Sequence, residues 1–343
     1  MAEVCLGFIV LGLTAYGVLG GADFGAGLWD LTAGGARRGA RLRELVHRSM
    51  SPVWEANHVW LIFVLVICWT AFPVAFGAIF STLAVPLFLA ALGIILRGTA
   101  FALRGQADTI AEARLLGATF ALSSVLVPFF LGTALGGIAA GRVHVDDPVA
   151  DLDAWTGPTS IAVGLIAVLT GAYLAAVFLA GDARRAELPD LENAFRARAL
   201  GAGAVAGIAA MAGLLVLRSD ARFVYDGLTS GSGLAAIAIS ALAGIATFAL
   251  VWTRNFELAR GTSAVAVGAV IVGWVVAIRP DFLPGELTLD QAAAPDATLT
   301  ALVISIGIGL LILVPSLWYL YRLVLQGRLD QPFEPLNTGD DDG

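Results

Sequence analysis

Residues 4–31 read VCLGFIVLGLTAYGVLGGADFGAGLWDL, and nineteen of them, Val4 to Ala22, pass without a charge before Asp23 interrupts the run. At about 1.5 Å per helical residue, a segment of this length covers the roughly 30 Å of a bilayer's hydrocarbon core. No Lys or Arg precedes it and the apolar stretch is too long for the h-region of a secretion signal, so it is expected to remain as a membrane-spanning helix. The closing run, Gly20-Gly21-Ala22-Asp23-Phe24-Gly25-Ala26-Gly27, is made almost wholly of small residues, which let a neighbouring helix backbone come close. It lacks a phosphate-binding fingerprint in a strand-to-helix setting, which argues against a nucleotide site.

The same reading repeats along the chain. Apolar runs at 4–31, 52–76, 79–103, 115–139, 157–180, 199–218, 232–252, 262–279 and 299–322 predict nine spanning helices, and hence an all-α polytopic membrane protein. Their joins are polar or rich in Gly and Pro, as at Phe72-Pro73, Ala140-Gly141 and Asp281-Phe282-Leu283-Pro284-Gly285. Residues 1–328 then form one integral membrane domain. The tail 329–343, ending Asp340-Asp341-Asp342-Gly343, has the composition of a disordered cytoplasmic end.

Composition agrees with this assignment: 58% of the 343 residues are hydrophobic and 14% charged, with a mean hydropathy of +0.85. That excludes a soluble enzyme. A net charge of -7 without a basic face excludes a nucleic-acid binder. Cys5 and Cys68 lie far apart in apolar runs and are expected to be buried free thiols. Of three histidines, His47 and His144 fall in predicted loops, so His58 is the one imidazole in the core; with Met also scarce, no haem or metal is expected on this chain alone.

All twenty cationic side chains are Arg. Across nine spans, fifteen fall on one side (Arg37, Arg38, Arg41, Arg43 and Arg48 foremost) and four on the other (Arg142, Arg218, Arg222 and Arg279), with Arg97 inside the third span. The positive-inside rule therefore predicts the N-terminus outside and the C-terminus in the cytoplasm. The outside loops are acidic, with Asp146, Asp147, Asp151 and Asp153 in one and Asp281, Glu286, Asp290 and Asp296 in the other, as suits a solvated face.

Three ionisable side chains lie where hydrocarbon is expected: Asp23, Glu55 and Arg97. Each costs several kcal/mol there unless paired, hydrated or near an end, which makes each a functional candidate. Asp23 lies about 12 Å and Arg97 about 10 Å inside the arginine-rich boundary, so a buried ion pair joining the first and third helices and a transport role are both open and compatible. Glu55 opens the second span three residues after Pro52, where Ser51 as cap and Pro52 at N1 account for an acid in the first turn. His58, three residues on, shares its helix face. A carboxylate and an imidazole together are parts for moving protons. Trp54, Trp60, Trp69, Trp318 and Tyr319 lie near predicted ends and are expected in an interfacial aromatic belt.

Four motifs in series carry a resemblance: Gly21-Ala22-Asp23-Phe24-Gly25-Ala26-Gly27; Ser51-Pro52-Val53-Trp54-Glu55-Ala56-Asn57-His58-Val59-Trp60-Leu61; Ala71-Phe72-Pro73-Val74-Ala75; and Ile95-Leu96-Arg97-Gly98-Thr99-Ala100-Phe101. In order and spacing this N-terminal third resembles subunit II of the cytochrome bd-type quinol oxidases. Looser matches follow at Gly171-Ala172-Tyr173-Leu174, Arg279-Pro280-Asp281-Phe282-Leu283-Pro284 and Leu313-Val314-Pro315.

The resemblance implies two four-helix bundles plus one peripheral helix. It implies a non-haem subunit beside a haem-bearing subunit I, whose b-type and d-type haems oxidise quinol and reduce oxygen to water, with membrane lipid or a quinone bound alongside. It also implies that Glu55, in Trp54-Glu55-Ala56-Asn57 where the family usually has Trp-Asp-Gly-Asn, belongs with Asp23 and His58 to a cytoplasmic proton path. Arg97 would be the charge partner, and Trp54, Asn57 and Trp60 would be cofactor-side or aromatic residues. From the charges alone, an ion-coupled secondary transporter with Asp23, Glu55 and Arg97 as its site is the competing expectation.

Overall fold

A computed structural model of the chain describes residues 1–50, 54–103 and 109–326, without the side chains of 36–38, 110, 324 and 325. Among the described residues, nine helices are long and apolar enough to cross a membrane: Ala2–Leu31, Trp54–Ala71, Ala84–Leu103, Ala111–Ala139, Pro158–Arg185, Pro189–Asp220, Gly231–Trp252, Phe256–Ile278 and Asp296–Leu323. Below they are the first to ninth spans. The tail 329–343, Arg104, and the expected helix start at Ser51 and Pro52 lie outside the described residues.

Their ends follow local chemistry more closely than hydropathy does. The second span stops at Ala71 because Phe72 leaves the helical region (φ -135, ψ 59) and Pro73 starts a new ten-residue helix, Pro73–Thr82. The expected break near residues 77–78 is therefore displaced to both sides of this connecting helix. The sixth span starts at Pro189, ten residues before the expected 199, with Pro at its first position and Asp190 and Glu192 favoured by the helix dipole in its first turn. The eighth starts at Phe256, where the Asn255 side chain accepts from the Leu258 amide at 3.5 Å. Arg196, Arg198 and Arg260, expected in loops, are consequently on helices. Polar first and last turns extend a helix past its apolar core, and hydropathy registers only the core.

One expected loop is a helix. Ala36–Met50 buries Leu42, Leu45, Val46 and Met50, spaced three and four apart, against the fifth and sixth spans. Its polar face carries Arg41, Arg43 and Arg48. His47 sits on this helix with its ring stacked on Phe101 at 5.1 Å, which corrects its assignment to a loop.

Packing sorts the spans. The first packs on the second and fourth and the third on the fourth; the fifth packs on the sixth and eighth and the seventh on the sixth and eighth. The first and fourth spans join these two sets by packing on the fifth. The ninth lies against the second and first spans and is largely exposed, with Leu311 and Ile312 open. Small residues make the seams: a Cβ on Gly132 would lie 2.7 Å from Gly164 Cα, and one on Gly136 2.5 Å from Ser160 Cα. Between the eighth and ninth spans, Asp281–Leu283 pairs antiparallel with Leu287–Thr288 about the turn at Gly285 (φ 75). Phe282 of this hairpin stacks on Phe72 at 4.5 Å.

Candidate functional site

The site grows from the last turns of the first span. Between Tyr16 and Gly20 the helix widens into a π-turn before resuming at Gly21, a feature frequent at functional sites. The side-chain amide of Asn57, on the second span, donates to the Leu19 carbonyl of this turn at 3.4 Å. The Tyr321 hydroxyl, from the ninth span, donates to Asn57 Oδ1 at 3.3 Å. One asparagine thus links three helices.

One turn further along, Asp23 and Arg97 are 1% and 2% exposed and form an ion pair, Nη2 to Oδ1, at 2.8 Å. The same nitrogen reaches the Asp23 carbonyl at 3.3 Å. Arg97 Nε donates to Ser124 Oγ at 2.9 Å, and that hydroxyl donates to the Phe120 carbonyl at 2.7 Å. The guanidinium lies 4.9 Å from the centre of the Phe24 ring and 4.7 Å from that of Phe120. A cation so far from water needs this many partners, because breaking a buried pair costs about 3–5 kcal/mol.

The Asp23 carboxylate is satisfied on one side only. Among the described residues Oδ2 has no hydrogen-bond partner, and neither do the buried Tyr16 hydroxyl, His58 Nδ1 or Trp60 Nε1 nearby. The His58 ring centre is 6.0 Å from those of both Tyr16 and Phe24 and 6.4 Å from that of Trp54. Such a concentration of unmatched polar atoms calls for water or another hydrogen-bonding group.

Of the expected residues, the structure brings together Asp23, Arg97 and His58, with Asn57 and Trp60 on the same side of the second span. Trp60 is 8% exposed and packs with Tyr16, Phe24 and Val127, so it belongs to the core and not to an interfacial belt. Trp54 is half-buried over Gly98 and Phe101. Glu55 does not join the cluster: it faces outward, exposed, without a hydrogen bond or ion pair to the described residues. The two lie about 60° apart around the helix, with Glu55 on the outer edge of the face they share and the His58 ring turned in toward Tyr16 and Phe24. Sequence reasoning missed Tyr16, Ser124 and Tyr321, whose polar groups in apolar runs were the available signal. It also missed Asp30, buried at the end of the first span with Arg43 Nε at 3.0 Å.

His58 is the one imidazole in the spans and its ring is packed among aromatic rings. The described residues contain no group of three or more His, Cys, Asp or Glu able to hold a metal ion. Cys5 and Cys68 are free.

The family model for cytochrome bd terminal oxidase subunit II matches residues 1–324. The chain belongs to the cytochrome bd subunit II family. It is 22% identical over 338 residues, 95% of each chain, to a Bacillus subtilis (strain 168) protein carrying the provisional name cytochrome bd menaquinol oxidase subunit II. It is 29% identical over 114 residues, 33% of each chain, to the cytochrome bd ubiquinol oxidase subunit 2 of the same organism. The bd oxidase structure from Geobacillus thermodenitrificans contains a chain that superposes with a TM-score of 0.79 at 26% identity, covering 94% of this chain and 98% of that one. As a cytochrome bd subunit II, the protein is a multi-pass membrane subunit of a terminal oxidase, an oxidoreductase complex, which removes the transporter alternative.

Proposed function

We propose that this chain is the non-haem subunit that supports a haem-bearing subunit I in the plasma membrane of a bacterium or archaeon, and that it conducts protons from the cytoplasm toward the oxygen-reducing haem. In this reading the partner carries the b-type and d-type haems, quinol is oxidised and oxygen reduced to water. The arginine-rich end faces the cytoplasm. The observation that carries the proton role is the Asp23 carboxylate: buried, held at one oxygen by Arg97, and open at the other beside His58 and Tyr16. Arg97 holds one oxygen of that acid in an apolar surrounding, and the other oxygen is left without a partner for the exchange of a proton.

Glu55 enters this reading from outside the cluster. It lies at the start of the second span on a face where Ile62, Val66 and Trp69 are also exposed. We assign that face to the partner subunit, which would enclose Glu55 and make it the proton acceptor nearest the cytoplasm. A quinone or lipid bound at the same face is compatible with its apolar lining.

The test is quinol-dependent oxygen uptake by the purified complex carrying Glu55→Gln or Asp23→Asn. Loss of a positioned proton carrier is expected to slow turnover, counted per haem, by about 10²-fold or more. Full turnover by both variants would remove the proton role. Failure of this chain to co-purify with a haem protein would remove the subunit role.

A further inference from the structure

At the arginine-rich end of the fifth to eighth spans lies a cavity of about 580 Å³. Its walls include Gly181, Arg184 and Arg185 from the last turns of the fifth span, Arg254 from the turn after the seventh, and Phe256 and Glu257 opening the eighth. Arg185 is bonded to Asp182 and, at 2.6 Å, to Glu257. Arg254, at φ 64, turns back to give its guanidinium to Glu192 at 2.7 Å and Asn193 at 2.8 Å. Arg260 is held by Asp182 at 2.5 Å and by the Phe178 carbonyl at 2.6 Å.

Among the described residues, two arginines here have no carboxylate partner. Arg184 donates to the Arg254 carbonyl. Arg196 donates to the Val251 and Trp252 carbonyls at 3.1 and 2.8 Å, its guanidinium 5.3 Å from the Trp252 ring centre. Five guanidiniums thus meet three carboxylates, Asp182, Glu192 and Glu257. The C-termini of the fifth and seventh spans contribute roughly half a negative charge each, and the N-terminus of the eighth roughly half a positive one. Positive charge remains in excess. Beside the cavity, Trp252 and Phe248 are exposed on the seventh span, an aromatic border of the kind that sits at the lipid headgroup level.

We propose that this cavity binds a phosphate group, presented by an anionic phospholipid headgroup or free in solution. Arg184 supplies the uncompensated cation, and Arg185 and Arg254 supply forked donors already oriented by their own partners. Basic recesses between membrane helices at this depth suit anionic headgroups. The open Trp252 and Phe248 side chains continue downward as a surface for acyl chains. Among the described residues Glu257 is the one carboxylate in the wall, and its charge is taken up by Arg185.

The whole solubilised complex, stripped by detergent exchange, is titrated with micelles containing phosphatidylglycerol or phosphatidylcholine, and bound lipid is counted by native mass spectrometry. The variants are Arg184→Gln and Thr253→Glu, the second adding a negative charge to the wall while leaving the Arg184 bond in place. Each is expected to weaken phosphatidylglycerol retention about tenfold, and Arg222→Gln at the opposite end to leave it unchanged. Displacement of phosphatidylglycerol by millimolar inorganic phosphate identifies free phosphate as the ligand; resistance identifies the lipid. Equal retention by the wild type and both variants, or equal retention of phosphatidylcholine, overturns the site.

Discussion

Gly25 and Gly171 meet backbone to backbone: a Cβ on Gly25 would lie 1.9 Å from the Gly171 carbonyl oxygen and 2.7 Å from the Ala172 amide nitrogen. The contact fixes the first span against the fifth one turn from Trp29, whose indole donates to the Ala172 carbonyl at 2.9 Å. Gly25→Ala therefore has to push two backbones apart, and neither can give way as a flexible side chain would. The expected cost is at or above the roughly 1–3 kcal/mol of core overpacking, seen as a lower melting midpoint and a lower yield of assembled complex. Gly7→Ala, in the same helix with nothing within 4 Å of its added carbon, is expected to be silent. Equal melting of the two variants would contradict the packing argument.

Arg97 and Asp23 are expected to be coupled. Arg97→Gln strands a buried carboxylate and should destabilise the subunit by about 3–5 kcal/mol, and Asp23→Asn should do comparable harm from the other side. The double variant Asp23→Asn/Arg97→Gln, with no charge left to bury, should recover part of that loss in detergent unfolding. Simple additivity would show that the pair is not held together as the 2.8 Å contact implies. Arg97→Lys is not a conservative change, because it loses the Nε bond to Ser124 and the planar contact with Phe24 and Phe120.

The ninth span is tied to the bundle by the Tyr321 hydroxyl on Asn57. Removing that hydroxyl with Tyr321→Phe should weaken the attachment by about 0.5–1.5 kcal/mol. Amide hydrogen exchange along the last turns of the ninth span should accelerate, while that of the second span should not. An unchanged exchange map would mean that apolar contacts alone hold this helix.

On the opposite end of the molecule, His144 Nδ1 lies 2.8 Å from Glu286 Oε1, and the Val145 amide donates to Oε2 at 3.4 Å. The His144 hydrogen bond, ahead of the Val145 amide, holds the Glu286 carboxyl below its ordinary value. A depressed carboxyl stabilises the fold above its unfolded-state pKa, and that contribution disappears as pH falls through the lowered value. Protection of the Val145 amide should therefore persist at neutral pH and be lost below about pH 4. Glu286→Gln should remove the pH dependence; a dependence that survives it would assign the effect elsewhere.

Nine spans, their order, and the charged trio were legible in the chain, because a bilayer imposes one length and one polarity on every crossing helix. Hydropathy could not find the helix Ala36–Met50, whose mean polarity is that of a loop although its period of three and four is amphipathic. Nor could it locate the ends at Ala71 and Pro189, where one proline outweighs the apolar average. The run of small residues around Asp23 was recognisable as a packing surface, but not as the surface for Gly171 and Ser124 in particular.

By itself, the sequence determined that this is a polytopic membrane protein with Asp23 and Arg97 at similar depth from the arginine-rich side, since depth follows from counting residues along a helix. Only the tertiary structure decided which faces meet. It turned Asp23 onto Arg97, brought Tyr16, Ser124 and Tyr321 to the same place from three different spans, and left Glu55 on the outer surface one turn from the half-buried His58. The reason is rotational: a helix position advances 100° per residue, so a shift of one or two residues in how two helices pack exchanges an inward side chain for an outward one, and a single chain's periodicity does not state its neighbour's.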